Sequence, residues 1–166
     1  MERTELVITM SNSNGNKQHI VDVAQRVKDL LSPYCDDILV VGSIRRGSDN
    51  PHDVDIVLVP KNKTAIPVEM GKIGTRQSGG DKKETWLIDN VQVELYFTSM
   101  ATWGAMILTY TGSKIFNIGM RALAKAKGLM LNQYGLFKDG KVIASLTEED
   151  IFKALEMENV QPSQRE

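Results

Sequence analysis

The stretch Gly42 to Asp55, GSIRRGSDNPHDVD, restricts this chain more than any other. Apolar residues Ile38–Val41 lead into it and Ile56–Val59 lead out, so two buried strands flank a glycine-bearing turn that carries Ser43, Arg45 and Arg46. Backbone N–H groups at such a turn can cradle phosphate oxygens, with the Ser43 hydroxyl and arginine charge beside them. Asp53 and Asp55 stand two apart at the start of the second strand, where a period of two points both carboxylates to one face. Carboxylates placed side by side repel unless a hard cation sits between them. The economical reading is a site for a metal-bound nucleoside triphosphate.

Around this stretch, helical spacing of Ile20, Val23, Ala24, Val27, Leu30 and Leu31 predicts a helix that Pro33 ends. Before it, residues 1–10 read as a short strand and the polar run Ser11–Asn16 as a loop, giving a poorly specified leader over 1–16. Ile66–Ile73 reads as a strand interrupted by Gly71, and Gly74–Glu84 as a loop. Thr85–Ile88 and Val91–Phe97 form a predicted hairpin about Asp89-Asn90, the second strand carrying Glu94. Helices are expected over Ala101–Leu108, then over Ser113–Lys127 with Ser113 as N-cap and Gly128 at the C-cap. Short strands follow at Leu129–Leu131 and on both sides of Asp139-Gly140. A last helix runs from Thr147 to about Met157, and the tail NVQPSQRE trails off as coil.

Asp53, Asp55 and Glu94 on neighbouring strands would supply the three carboxylates of two-metal phosphoryl transfer. Arg46, with Arg45 beside it, would place charge where it builds up in the transition state. Taken singly, a D-x-D, a glycine–serine turn or a strand glutamate is more often unremarkable surface; their conjunction at this spacing reverses that judgement.

Gly42–Arg46 with Asp53 and Asp55 resembles the signature of the nucleotidyltransferase superfamily, in the form found in family X DNA polymerases. Tyr110-Thr111-Gly112-Ser113, Ile115-Phe116-Asn117 and Met120-Arg121 resemble that family's nucleotide-binding segment, and Leu131–Leu136 with the terminal helix makes a third match. The resemblance implies an α+β fold, with a nucleotidyltransferase palm (a mixed β-sheet backed by helices) over 17–108 and a small C-terminal α/β subdomain for nucleotide and template over 109–166. It implies that Asp53, Asp55 and Glu94 hold two Mg²⁺ ions, with Mn²⁺ able to substitute. Gly42, Ser43 and Arg46 would hold the triphosphate, Tyr110 and Gly112 would line the sugar pocket, Asn117 would touch the minor-groove edge of the incoming base, and Arg121 would contact the template strand. The implied partners are a dNTP and gapped or primer-template DNA, and the implied activity is repair synthesis at short gaps.

Several positions depart from the family pattern, among them Pro51, which lacks an N–H in the phosphate-facing loop, and Lys114, where some relatives have an acidic residue. Glu94 stands where the family usually has Asp, one methylene shorter, and Thr109 stands where many relatives have an aromatic residue beside the sugar, which implies weak discrimination against ribonucleotides. Residues 1–41 are too few for the amino-terminal lyase and helix-hairpin-helix modules common in the family, so the likeness is to the reduced form of compact viral polymerases.

Twenty basic and 21 acidic side chains give a net charge of -1, so nucleic-acid affinity has to come from local patches such as Arg76, Lys82, Lys83 and the face around Arg121, Lys125 and Lys127. The lone Cys35 reads as a small buried residue, and Trp86 and Trp103 as core. Without a signal-like or membrane-spanning run, the expectation is a soluble, intracellular monomer of a microbe or virus-infected cell. Two other functions stay open at this level: a template-independent nucleotidyltransferase acting on RNA ends, a protein or a small molecule, and a degenerate nucleotide- or DNA-binding module.

Overall fold

The computed structural model describes the backbone of residues 2–166 and side chains from Gly15 onward. Helix α1 spans Glu2–Leu31, and the first strands are β1 (Cys35–Val41) and β2 (Val54–Pro60), with the single helical turn α2 (Gly42–Arg45) between them. There follow α3 (Ala65–Gly71), β3 (Thr75–Gly79), β4 (Lys83–Ile88) and β5 (Val91–Phe97). The five strands form one sheet in the order β1-β2-β5-β4-β3, in which only the central β2–β5 pair is parallel. The fold is therefore α+β with a mixed sheet, as the resemblance implies.

Strand alternation gives the sheet two different faces. Val54, Ile56 and Leu58 of β2 and Val93 and Leu95 of β5 point to the side covered by Ile20, Val23, Val27 and Leu31 of α1 and by Ile66 and Met70 of α3. Asp55, Val57, Glu94 and Tyr96 occupy the alternate positions, so they share the opposite face. There Val41, Val57 and Tyr96 meet Met106 and Ile107 of α4 (Trp103–Thr111). Helix α4 is buried on its other side as well, where Ala105 and Leu108 join a separate cluster with Met120, Leu136, Ile151 and Phe152. That cluster is the core of the C-terminal part: α5 (Lys114–Ala126), the meander β6 (Met130–Asn132), β7 (Gly135–Lys138) and β8 (Lys141–Ala144), and α6 (Glu148–Ala154). A helix apolar all round thus joins the two cores.

Local signals in the sequence match the structure closely. Asp89 and Asn90 both have positive φ in the β4–β5 turn, as do Asp139 and Gly140 in the β7–β8 turn. The Ser113 hydroxyl accepts the Phe116 N–H and the Thr147 hydroxyl accepts the Asp150 N–H, each capping its helix. Trp86 is core, and burial pushes the Cys35 thiol up to about 11, with Asp36 adding to the effect.

Four expectations need correction. The expected leader, a strand and then a loop within 1–16, is instead the first half of α1; residue 1 lies outside the described residues. No proline interrupts residues 1–32, and adding polar residues to a helix already nucleated by its packed half costs only about 0.5 kcal/mol each. Residues 66–73 are not a strand: Ile66 and Met70, four apart, are both buried, and Pro67 is tolerated in the first helical turn, where its missing N–H has no partner to lose. The loop expected at 74–84 is the exposed strand β3 and the start of β4. The tail is ordered, with a turn of 3₁₀ helix at Pro162–Gln164 and Arg165 only 3% exposed.

Candidate active site

The first motif folds as its residue types dictate. Gly42 has φ +65, which favours glycine, and a Cβ at this position would collide with the Asp55 carboxylate. Gly42 thus turns the chain out of β1 and leaves room for the acid beside it. Asp55 lies in register with Val41 on one side and Glu94 on the other. Asp53, just ahead of β2, is exposed to solvent.

Burial pushes the Asp55 carboxyl up to about 7, and the negative charges of Glu94 and Asp53 push it the same way. Burial also acts to raise Glu94, yet hydrogen bonds from Tyr96 and Lys83 outweigh it and hold Glu94 below its ordinary value. Both oxygens of Glu94 are engaged: one accepts Gln92 Nε2 at 3.2 Å and pairs with Lys83 Nζ at 3.0 Å, while the other accepts the Tyr96 hydroxyl. Among the described residues, no group of three acidic, histidine or cysteine side chains is arranged as it stands to hold a metal ion. The Asp53–Asp55 pair fits a hard divalent cation, since its donors are all oxygen and its crowded charge already raises Asp55. Glu94 is the member of the trio tied up elsewhere.

The second motif comes to the same place from the other lobe. A cleft of about 380 Å³ is lined by Asp55 and Tyr96 from the sheet, by Thr109, Tyr110, Asn117 and Arg121 from α4 and α5, and by Gly112 between those helices. Tyr110 stacks on Tyr96, ring centroids 3.8 Å apart. The Asn117 amide donates to the Thr109 carbonyl at 2.7 Å, which fixes the side chain at the cleft wall. Arg121 is exposed. Gly112 has φ +68, and a Cβ there would press on the Arg46 guanidinium at 3.1 Å. Arg46 itself donates to the Thr111 carbonyl at 2.6 Å, so the arginine of the first motif is anchored on the second. Gly42 borders the cleft through Asp55 and Arg46 borders it through Gly112, while neither of them nor Ser43 lines it.

Sequence reasoning missed three features. Arg45 does not face the acids: its guanidinium donates to Glu148 at 2.6 and 3.0 Å and to the Thr111 hydroxyl at 2.8 Å. Arg165 donates to the same Glu148, making a largely buried Arg–Glu–Arg group between the lobes. Burial acts to raise the Glu148 carboxyl, and the bonds from Arg45 and Arg165 bring it below its ordinary value. Tyr96 was detectable, since it follows Glu94 by two on the strand. Lys83 stands out in the sequence only as a candidate nucleic-acid contact; its pairing with Glu94 is not legible there because its segment reads as loop.

The comparisons with known proteins agree with this geometry. Residues 106–166 match the family described as DNA polymerase beta thumb. The chain is 27% identical over 138 residues to the repair DNA polymerase X of African swine fever virus (isolate Tick/South Africa/Pretoriuskop Pr4/1996), a match covering 76% of this chain and 79% of the viral one. It is 37% identical over 78 residues to human DNA-directed DNA/RNA polymerase mu, covering 45% of this chain and 16% of that protein. It is 40% identical over 62 residues to Saccharomyces cerevisiae DNA polymerase IV, covering 37% and 11%. With the glycine–arginine turn and acidic strand on one side of the cleft and a matched thumb on the other, the chain is similar to the family X DNA polymerases in both its motifs and its matched segment.

Proposed function

We propose that this protein is a template-directed DNA polymerase that adds a deoxynucleotide to a primer 3′-hydroxyl at short gaps in DNA. The observation that carries this reading is the single cleft that Asp55 shares with Tyr110, Gly112, Asn117 and Arg121. An acid from the transfer chemistry and four residues suited to sugar, base and template line one space.

Asp53 and Asp55 would hold the divalent ions, Mg²⁺ or Mn²⁺, with Glu94 at the third ligand position. Such ions, when bound, neutralise the triphosphate and lower the pKa of an attacking hydroxyl. Everything else falls to the chain. The Ser43 hydroxyl and Arg46 bind the triphosphate; one of the five guanidinium N–H donors of Arg46 goes to Thr111, which fixes the aim of the rest. Gly112 admits the sugar closely because it has no side chain. Asn117 offers a hydrogen bond to the minor-groove edge of the base, where pair shape is checked more than base identity. In the transfer, the primer 3′-oxygen forms a bond to the α-phosphorus as the bond to the departing pyrophosphate oxygen breaks, and the hydroxyl proton passes toward Glu94.

Asp55→Asn keeps the size of the side chain and removes its charge. On a primer-template with a one-nucleotide gap, the variant is expected to lose incorporation by at least about 10³-fold while its circular dichroism stays that of the wild type. Retained incorporation would sink the mechanism.

A further inference from the structure

The third carboxylate of the acidic face already has a cation. Lys83 Nζ lies 3.0 Å from Glu94, and 5.3 Å from the centre of the Tyr96 ring, whose hydroxyl donates to the same carboxylate. The placement follows from the sheet: Thr85 of β4 is in register with Glu94 and Lys83 with Tyr96, so Lys83 stands on the acid-bearing face one strand over. Glutamate, a methylene longer than aspartate, extends its carboxylate away from the strand. The side chain of Lys83 is 46% exposed and that of Glu94 18%, so the lysine can leave for solvent more readily than the acid.

We infer that Lys83 is an internal counterion that competes with a divalent cation for Glu94, so that the metal site is complete only after Lys83 has been displaced. This inference rests on the reading of Asp53, Asp55 and Glu94 as the metal-holding face. A lysine and a dication cannot share one carboxylate cheaply, because their mutual repulsion would be felt in a partly buried setting. The Asp53–Asp55 pair, which has no ion pair with a lysine or arginine among the described residues apart from weaker charge from Lys83 on Asp55, takes a cation first. Occupation through Glu94 then costs the Lys83 contact. Lys83 acts as a positioning residue: it holds Glu94 in one place when metal is absent and sets how much cation is needed to recruit it.

The test is Mn²⁺ binding to the full chain without nucleotide or DNA, followed by the electron paramagnetic resonance of free Mn²⁺. Lys83→Met is expected to tighten binding about 5- to 10-fold. Glu94→Gln should cancel that gain, the double variant binding as Glu94→Gln alone does. Lys82→Met is the control for general charge, since Lys82 Nζ bonds Tyr134 at 3.0 Å and not an acid; it should change affinity less than 2-fold. Unchanged binding in Lys83→Met, an equal gain in Lys82→Met, or a gain that survives Glu94→Gln would each overturn the inference. Asp55→Asn separates this from the underlying reading: if it leaves Mn²⁺ binding intact, the metal-holding face itself is refuted, whereas loss in Asp55→Asn with no gain in Lys83→Met refutes only the role of Lys83.

Discussion

Asp55 is placed where ionising it works against folding. Its carboxyl ordinarily titrates at 3.8, and burial with neighbouring Glu94 and Asp53 lifts it to about 7 in the metal-free chain. Between these values the folded state binds more protons than the unfolded one, so its contribution to stability is full below 3.8 and is lost as pH rises through about 7. Asparagine cannot ionise and escapes that loss. Asp55→Asn is therefore expected to stabilise the metal-free chain at pH 8 by on the order of 2 kcal/mol, with a smaller gain at pH 5. Urea denaturation with a chelator at both pH values measures this. A site residue whose removal strengthens the fold is the expected signature of a group kept for chemistry. The sequence showed Asp53 and Asp55 because period two makes such a pair visible without any tertiary knowledge. It did not show that Glu94 is occupied, because Lys83 reaches it only through β4, whose polar first residues carry no alternation to read.

Among the elements, α4 and the chain terminus tie the two cores together. Glu148 opens α6, where Thr147 and the acidic first turn were legible as a cap, but its partners lie 103 and 17 residues away. No local rule could have assigned them. The same non-locality explains why the tail is ordered where its sequence predicts coil: one arginine, Arg165, orders it by burying its charge against Glu148 and donating to the Val160 carbonyl. Replacing Glu148 by Gln leaves two guanidinium groups in a space built for one acid between them. Loss of one partner from a buried ion group costs about 3–5 kcal/mol. Thermal unfolding should show Glu148→Gln lowered by several degrees, with Glu148→Asp intermediate. Strand β3 is the other element the sequence hid: all five of its residues are exposed, so it pairs with β4 without contributing an apolar stripe.

At the scale of the molecule, two cores share α4 and meet at a cleft whose walls come from both. The parts of this plan that follow from periodicity and turn chemistry, namely the β4–β5 and β7–β8 hairpins and the capped helices, were readable in advance. The packing of α4 against two sides was not, since a continuous apolar run says only that a helix is buried and not in what. No helix among the described residues is long and apolar enough to cross a membrane. With a net charge of -1, the DNA binding proposed above would rest on few local contacts. If Arg121 at the cleft wall meets a template phosphate, Arg121→Ala should reduce the slope of log affinity against log salt by about 1, measured by fluorescence anisotropy on gapped DNA.

The central claim is that this cleft copies a template. The most direct measurement offers each of the four dNTPs against each of the four template bases in a one-nucleotide gap, with single-stranded primer as a control. The account predicts Mg²⁺-dependent addition with the Watson–Crick partner strongly preferred on gapped DNA and little addition on single strands. Addition that ignores the template base, or that proceeds equally on single-stranded primer, would contradict it.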